Sequence, residues 1–177
     1  MAATTSGYTI GRRTGLCAAT GQPLEPGEAI EVVLAEHPER DELDRLEFGV
    51  EAWDGGARPE PPLAVFAHWH SVAPEPNAKP RLLVEDAELM DVFEQLAEAT
   101  ERKRLVFRYL LALILMRRKA LVLEGIQRGD PERLLVRPRG TDKESPAIEV
   151  VDPGMDDEAI AEGIEALSAV ISPGAVS

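Results

Sequence analysis

Leu105 to Met116 is apolar almost all round, and only Arg108 interrupts it. A helix of that kind must be covered on every side, so the rest of the chain has to supply its shell. The run has 12 residues, well short of the ~20 needed to cross a bilayer. It reads as a central buried helix rather than an anchor. Thr100 is placed to cap it, Glu101 to about Arg118 is its predicted extent, and Arg117, Arg118 and Lys119 complement the negative end of its dipole.

The segments around it are of two kinds. Before it, Ile30 to Leu34 reads as a strand, β-branched and bounded by the turn residues Pro26-Gly27. His37 to Asp44 reads as a charged connection, and Leu46 to Val50 as a second strand. Asp54 to Pro62 is a glycine- and proline-rich loop. Leu63 to Val72 alternates, with Leu63, Val65, Ala67 and Trp69 on one face and Ala64, Phe66, His68 and His70 on the other. Residues 1–8 are expected to fray, and Pro74, Pro76 and Pro80 to form a stiff linker. Beyond the linker, Leu89, Phe93 and Leu96 define an amphipathic helix with Asp86 as its cap. After the central helix come short strands at 120–123, 134–136 and 148–151. A last amphipathic helix, capped by Asp156, carries Ile160, Ile164, Leu167 and Ile171 on one side and stops at Ser172-Pro173-Gly174.

Strands, then two helices, then strands, then one helix is the order of an α+β protein. The expected organisation is one domain over 1–177. An N-terminal β-rich lobe (about 9–75) packs on a helical and β-rich lobe (about 80–172). The predicted core includes Ile30, Val32, Leu34, Val65, Trp69, Phe93, Leu96, Phe107, Leu110, Leu111, Ile114, Leu115, Leu123, Val136, Val150, Ile164 and Leu167. No dinucleotide or phosphate-loop glycine pattern is present.

Cys17 is the only cysteine, so no intrachain disulfide forms and no secreted disulfide framework is expected. The first ten residues lack the basic and apolar regions of a signal peptide. Cytoplasmic residence is the expectation. The formal charge of −13 favours solubility and opposes long-range attraction to nucleic acid or anionic membranes.

Cys17-Ala18-Ala19-Thr20-Gly21 looks like one knuckle of a zinc ribbon or treble clef, with Thr20 where a second cysteine would stand. Cys17, His68 and His70 are the candidate metal ligands, with His37 the only other histidine, and zinc is the cofactor such a set would take. The plainer reading makes Cys17 a buried small hydrophobe beside a turn, and no cofactor is then expected. A Cys17–histidine nucleophile pair lacks any recognisable signature. Close acidic pairs such as Asp156/Asp157 read as helix N-terminal charges. Trp69 reads as core, and Trp53 as core or a ligand platform.

Charge is segregated. Residues 101–139 hold 11 bases and four acids, a net +7, against −20 for the remainder. The plain reading is that basic and acidic parts face each other within the fold. The functional reading is a docking face for an acidic protein partner, with Arg117, Arg118, Lys119 and Arg104 as the contact residues. RNA-binding and zinc-finger spacings are absent from the window, and the chain has few aromatic residues for base stacking.

Several phrases in order carry a resemblance. They are Cys17 to Gly21 with Leu24-Glu25-Pro26-Gly27-Glu28, then Glu51-Ala52-Trp53, then Leu110 to Lys119, then Glu149 to Met155. Together they resemble a planctomycete-type family of bacterial proteins with a degenerate zinc-ribbon-like knuckle. The resemblance spans most of the chain. It implies one domain of a bacterial cytoplasm and transfers no activity and no functional residue.

The expected function is a non-enzymatic protein-interaction or adaptor domain. The alternatives are a zinc-ribbon-derived metal-binding module and an enzyme without a recognisable motif.

Overall fold

The computed structural model describes residues 10, 11, 13–75 and 85–171, with side chains as far as Glu165 and at Leu167. The fold is α+β, with two three-stranded antiparallel sheets and four helices among the described residues. The chain divides into two compact units, one holding 10–75 and the other 85–165. The expected fraying of 1–8, the linker at Pro76 and Pro80 and the stop at Ser172 to Gly174 lie outside the described residues.

In the first unit, β1 (Ala29–His37) lies between β2 (Arg40–Gly49) and β3 (Ala64–Val72). All of Ile30 to Ala35 is buried. A central strand covered on both faces reads as a continuous apolar run, so Val33 and Ala35 join the core beside Ile30, Val32 and Leu34. The segment from Arg40 to Asp44 is strand rather than connection, since the hairpin reverses at Pro38-Glu39. Its acids point to solvent, and only Leu43 is fully buried there. The strand ends at Gly49, and Val50–Asp54 forms a short helix, α1. The outer side of β2 is covered by the chain preceding β1, through parallel bridges Ile10–Leu43 and Cys17–Glu47.

In the second unit, α2 (Asp86–Gln95) is capped by Glu85, one residue earlier than expected. The Glu85 side chain takes the amide of Glu88, and the Glu88 side chain takes the amide of Glu85. Then α3 (Arg102–Arg117) starts from Glu101 rather than Thr100. Val106, Phe107, Leu110, Leu111, Ala112 and Leu115 are buried along it. Lys119, with φ 63°, turns the chain into the left-handed region and out of the helix. A sheet follows in the order β4 (Leu121–Gln127), β5 (Arg133–Pro138), β6 (Ile148–Val151), and α3 packs on β4 and β6. Finally α4 (Asp157–Ile171), of which this unit holds the part to Glu165, starts where Asp156 Oδ1 accepts the Ala159 amide at 2.8 Å. It crosses α3 closely at Gly163. A Cβ there would stand 2.5 Å from Leu110 Cδ1, and Leu110 is fully buried.

Leu123 departs from the expected core: it is 46% exposed. The strand does not stop at Leu123 but continues across Gly125, with a bulge that leaves Glu124 without a register partner. The extra residue keeps Leu121, Leu123 and Ile126 on one face, opposite Pro138, Val136 and Leu134. Since β4 is the edge of its sheet, Leu123 and Ile126 project beyond the covered part of that face. Val65, Ile114 and Ile164 are half-buried, and the other predicted core residues are buried.

Candidate functional site

Three groups of side chains hold the chemistry that the sequence points to. The first is the N-terminal knuckle. The Cys17 carbonyl accepts the Gly21 amide at 2.7 Å, with Gly21 at φ 72°. Gly49 N–H approaches Cys17 Sγ at 3.4 Å. Burial pushes the thiol up, but the Gly49 amide, the Thr20 hydroxyl and the Thr20 and Ala19 amides together bring it below its ordinary value. Beside it Glu47, 1% exposed, accepts both contacts of Arg13 Nε, at 2.9 and 3.2 Å, and lies 3.5 Å from Arg45 Nη2. Burial lowers the Arg45 value, Glu47 opposes that and Arg13 adds to it.

The second group is on the other side of the same sheet. Register places Glu31 opposite His70, and Val33 opposite His68. Glu31 Oε1 is 2.5 Å from His68 Nδ1, and Oε2 is 3.3 Å from His70 Nδ1. An ionised carboxylate only accepts, so both Nδ1 atoms donate to it, and Nε2 is left as the lone-pair nitrogen of each uncharged ring. The Trp53 ring from α1 lies 5.1 Å from the His68 ring and 5.5 Å from Phe48, with the Arg58 guanidinium 3.8 Å above it. Trp53 is half-buried, and Trp69 is core. A carboxylate behind a histidine fixes its ring in metal centres and in base catalysis alike.

Cys17 is not part of this pair. It flanks the outer side of β2, whereas His68 and His70 stand on β3 beyond β1. Three strand spacings make that about 14 Å. His37 is at the far end of β1, where its Nδ1 takes the Glu39 amide at 3.1 Å. Among the described residues, no three His, Cys, Asp or Glu side chains are arranged around a metal position. The sequence showed His68 and His70 on one face. It gave no sign of Glu31, whose partnership depends on the register of strands 37 residues apart.

The third group is the basic window, which folding disperses. Arg104 pairs with Glu101, Arg118 Nη1 with Asp86 at 2.9 Å, and Arg133 with Glu149 at 3.6 Å. Arg137 grips Glu124 with two contacts, at 2.6 and 2.7 Å, and this hydrogen bonding holds the Glu124 carboxyl below its usual range. Arg108 is inside the unit, donating to the carbonyls of Phe93 at 3.3 Å and Glu149 at 2.9 Å, with its guanidinium 4.6 Å from the Phe93 ring. Arg104 lies about 20 Å along α3 from Arg117, so these residues do not form one patch. Arg117 and Lys119 are exposed, and they stand at the entrance to β4.

The strand itself is expected at 120–123, but its exposed apolar edge and its extension to Gln127 are what sequence reasoning missed. Val122, Leu123 and Ile126 are 50%, 46% and 51% exposed. A groove of about 660 Å³ beside them is lined by Leu123, Glu124, Gly125, Ile126, Arg128 and Glu132. The Ala120 carbonyl accepts the Arg139 amide at 2.9 Å. By alternation, Leu121 and Leu123 direct their own N–H and C=O away from β5. Pro138, opposite Leu121, occupies a position that needs no donor toward β4.

Comparison with protein-family models, with curated proteins and with solved structures finds no match.

Proposed function

We propose that this chain is a non-enzymatic protein-interaction domain that docks its partner along β4. The observation that carries this reading is an edge strand with three exposed apolar side chains, Val122, Leu123 and Ile126. Such an edge is a template for an added strand, with main-chain hydrogen bonds for affinity and side-chain contacts for choice of partner. Arg117 and Lys119 at its entrance favour acidic residues on the incoming chain. Arg104 and Arg118, each already beside an acid, support α3 and α2 rather than contact.

The test compares wild type with Ile126→Lys and with Arg117→Glu/Lys119→Glu, after thermal melts show all three folded. One host protein retained by wild type and lost by both variants is the expected result. Equal recovery by all three overturns the reading.

The carboxylate shared by His68 and His70 favours a second reading, a metal-supported binding module. Copper(II), the divalent ion imidazoles bind most tightly, is expected to quench Trp53 because that ring lies 5.1 Å from His68. Quenching unchanged in His70→Gln and His68→Gln overturns it.

A further inference from the structure

Charge is distributed unevenly along β4. Arg117, Arg118 and Lys119 precede it, while Asp130 and Glu132 follow it, with Arg128 between. Within Leu121–Gln127 the one charged residue is Glu124, which Arg137 already holds. No lysine and no proline interrupts the strand, and the bulge at Glu124 is the one device of edge protection it carries. Turned end for end, it is complementary to itself. Antiparallel pairing about a two-fold axis near Glu124 sets the basic start of each strand beside the acidic end of the other.

We infer that β4 pairs with β4 of a second copy of this chain, joining two three-stranded sheets into one antiparallel sheet of six. The inference rests on the docking reading above and names the occupant of that edge. The outward N–H and C=O groups of Leu123 supply the first ladder bonds, since Leu121 is buried. Because a two-fold normal to the sheet keeps like faces together, Leu123 and Ile126 of both copies meet on one side and cover each other. Arg117 and Lys119, both exposed, face Asp130 and Glu132 of the other copy, since Arg118 is engaged with Asp86.

Sedimentation equilibrium of the full chain over a wide concentration range reads this out, with circular dichroism to show each variant folded. Wild type is expected to dimerise and Ile126→Lys to remain monomeric. Arg117→Glu/Lys119→Glu sets acids against acids, and Asp130→Lys/Glu132→Lys sets bases against bases. Each alone should weaken the dimer by about tenfold or more. Mixed, the two variants become complementary at both contacts, and the dimer should return. A mixture no tighter than its components overturns the inference. So does a monomeric wild type, but if Ile126→Lys still loses a host partner then the docking reading survives. A dimer indifferent to Ile126→Lys also overturns the inference, and the docking reading then stands or falls on recovery of the host partner.

Discussion

Arg108 Nη1 donates to the carbonyl oxygen of Glu149 at 2.9 Å, inside the second unit. The same guanidinium reaches the carbonyl of Phe93. One side chain of α3 thereby ties the end of α2 to β6. Its burial lowers its ordinary value, and Glu98 is the one acid opposing that shift. Replacing Arg108 with Met leaves both carbonyls without this donor. The expected loss is about 1–3 kcal/mol in denaturant unfolding. Arg108→Lys should fall between, because a point charge cannot reproduce the planar fork. A Met variant as stable as wild type would contradict this role.

Glu47 is expected to be more sensitive still. It is buried between Arg13 and Arg45, so Glu47→Gln leaves two guanidinium groups without their shared countercharge. Removing one partner of a buried pair typically costs about 3–5 kcal/mol. Arg13→Ala should cost clearly less, since the Arg13 side chain is 28% exposed. Urea titrations of the two variants give the order, and the reverse order would refute it.

At Gly163 the test is steric. A valine there meets the buried Leu110 side chain, and overpacking of this kind costs about 1–3 kcal/mol. A lowered melting temperature is expected, restored in part by Leu110→Ala in the same chain. Strict additivity of the two losses would argue against the contact.

The knuckle makes a prediction about pH. Cys17 loses its proton in the folded chain below its ordinary value of 9.0. The folded state therefore gains stability as pH rises through the lowered value. The gain is complete above 9.0 and is lost as pH falls back through the folded value. Thr20→Val removes one of the groups that lower it. The stability difference between wild type and Thr20→Val should widen on the alkaline side. A difference constant with pH would show that the hydroxyl does not act through the thiol.

Leu111 and Leu123 separate core from edge. Leu111→Ala should cost about 2–5 kcal/mol, while Leu123→Ala should stay within about 0.5 kcal/mol. Equal losses by chemical denaturation would place Leu123 in the core after all.

These contrasts mark what sequence makes legible. Helix α3 could be read because burial all round leaves a continuous apolar run. β1 could be read because β-branched residues fill it. The strand bearing His68 and His70 could be read from alternation alone. What failed depends on position within a sheet. Leu123 looks like any core leucine until β4 is known to be an edge with a bulge at Glu124. Arg108 looks like any surface arginine until the carbonyls around it are placed. α1 is five residues long, too short for a helical period to appear. Glu31 has no local signature, because its histidine partners come from a distant strand.

Lys119 holds the corner between α3 and β4 at φ 63°, a conformation glycine adopts freely and other residues enter at about 1 kcal/mol or more. A glycine there would give a calmer corner and a chain harder to melt. It would also remove a positive charge from the mouth of the exposed strand. If β4 docks a partner as proposed, robustness and association pull in opposite directions at this one residue, and selection of the chain for heat resistance alone would erode that docking.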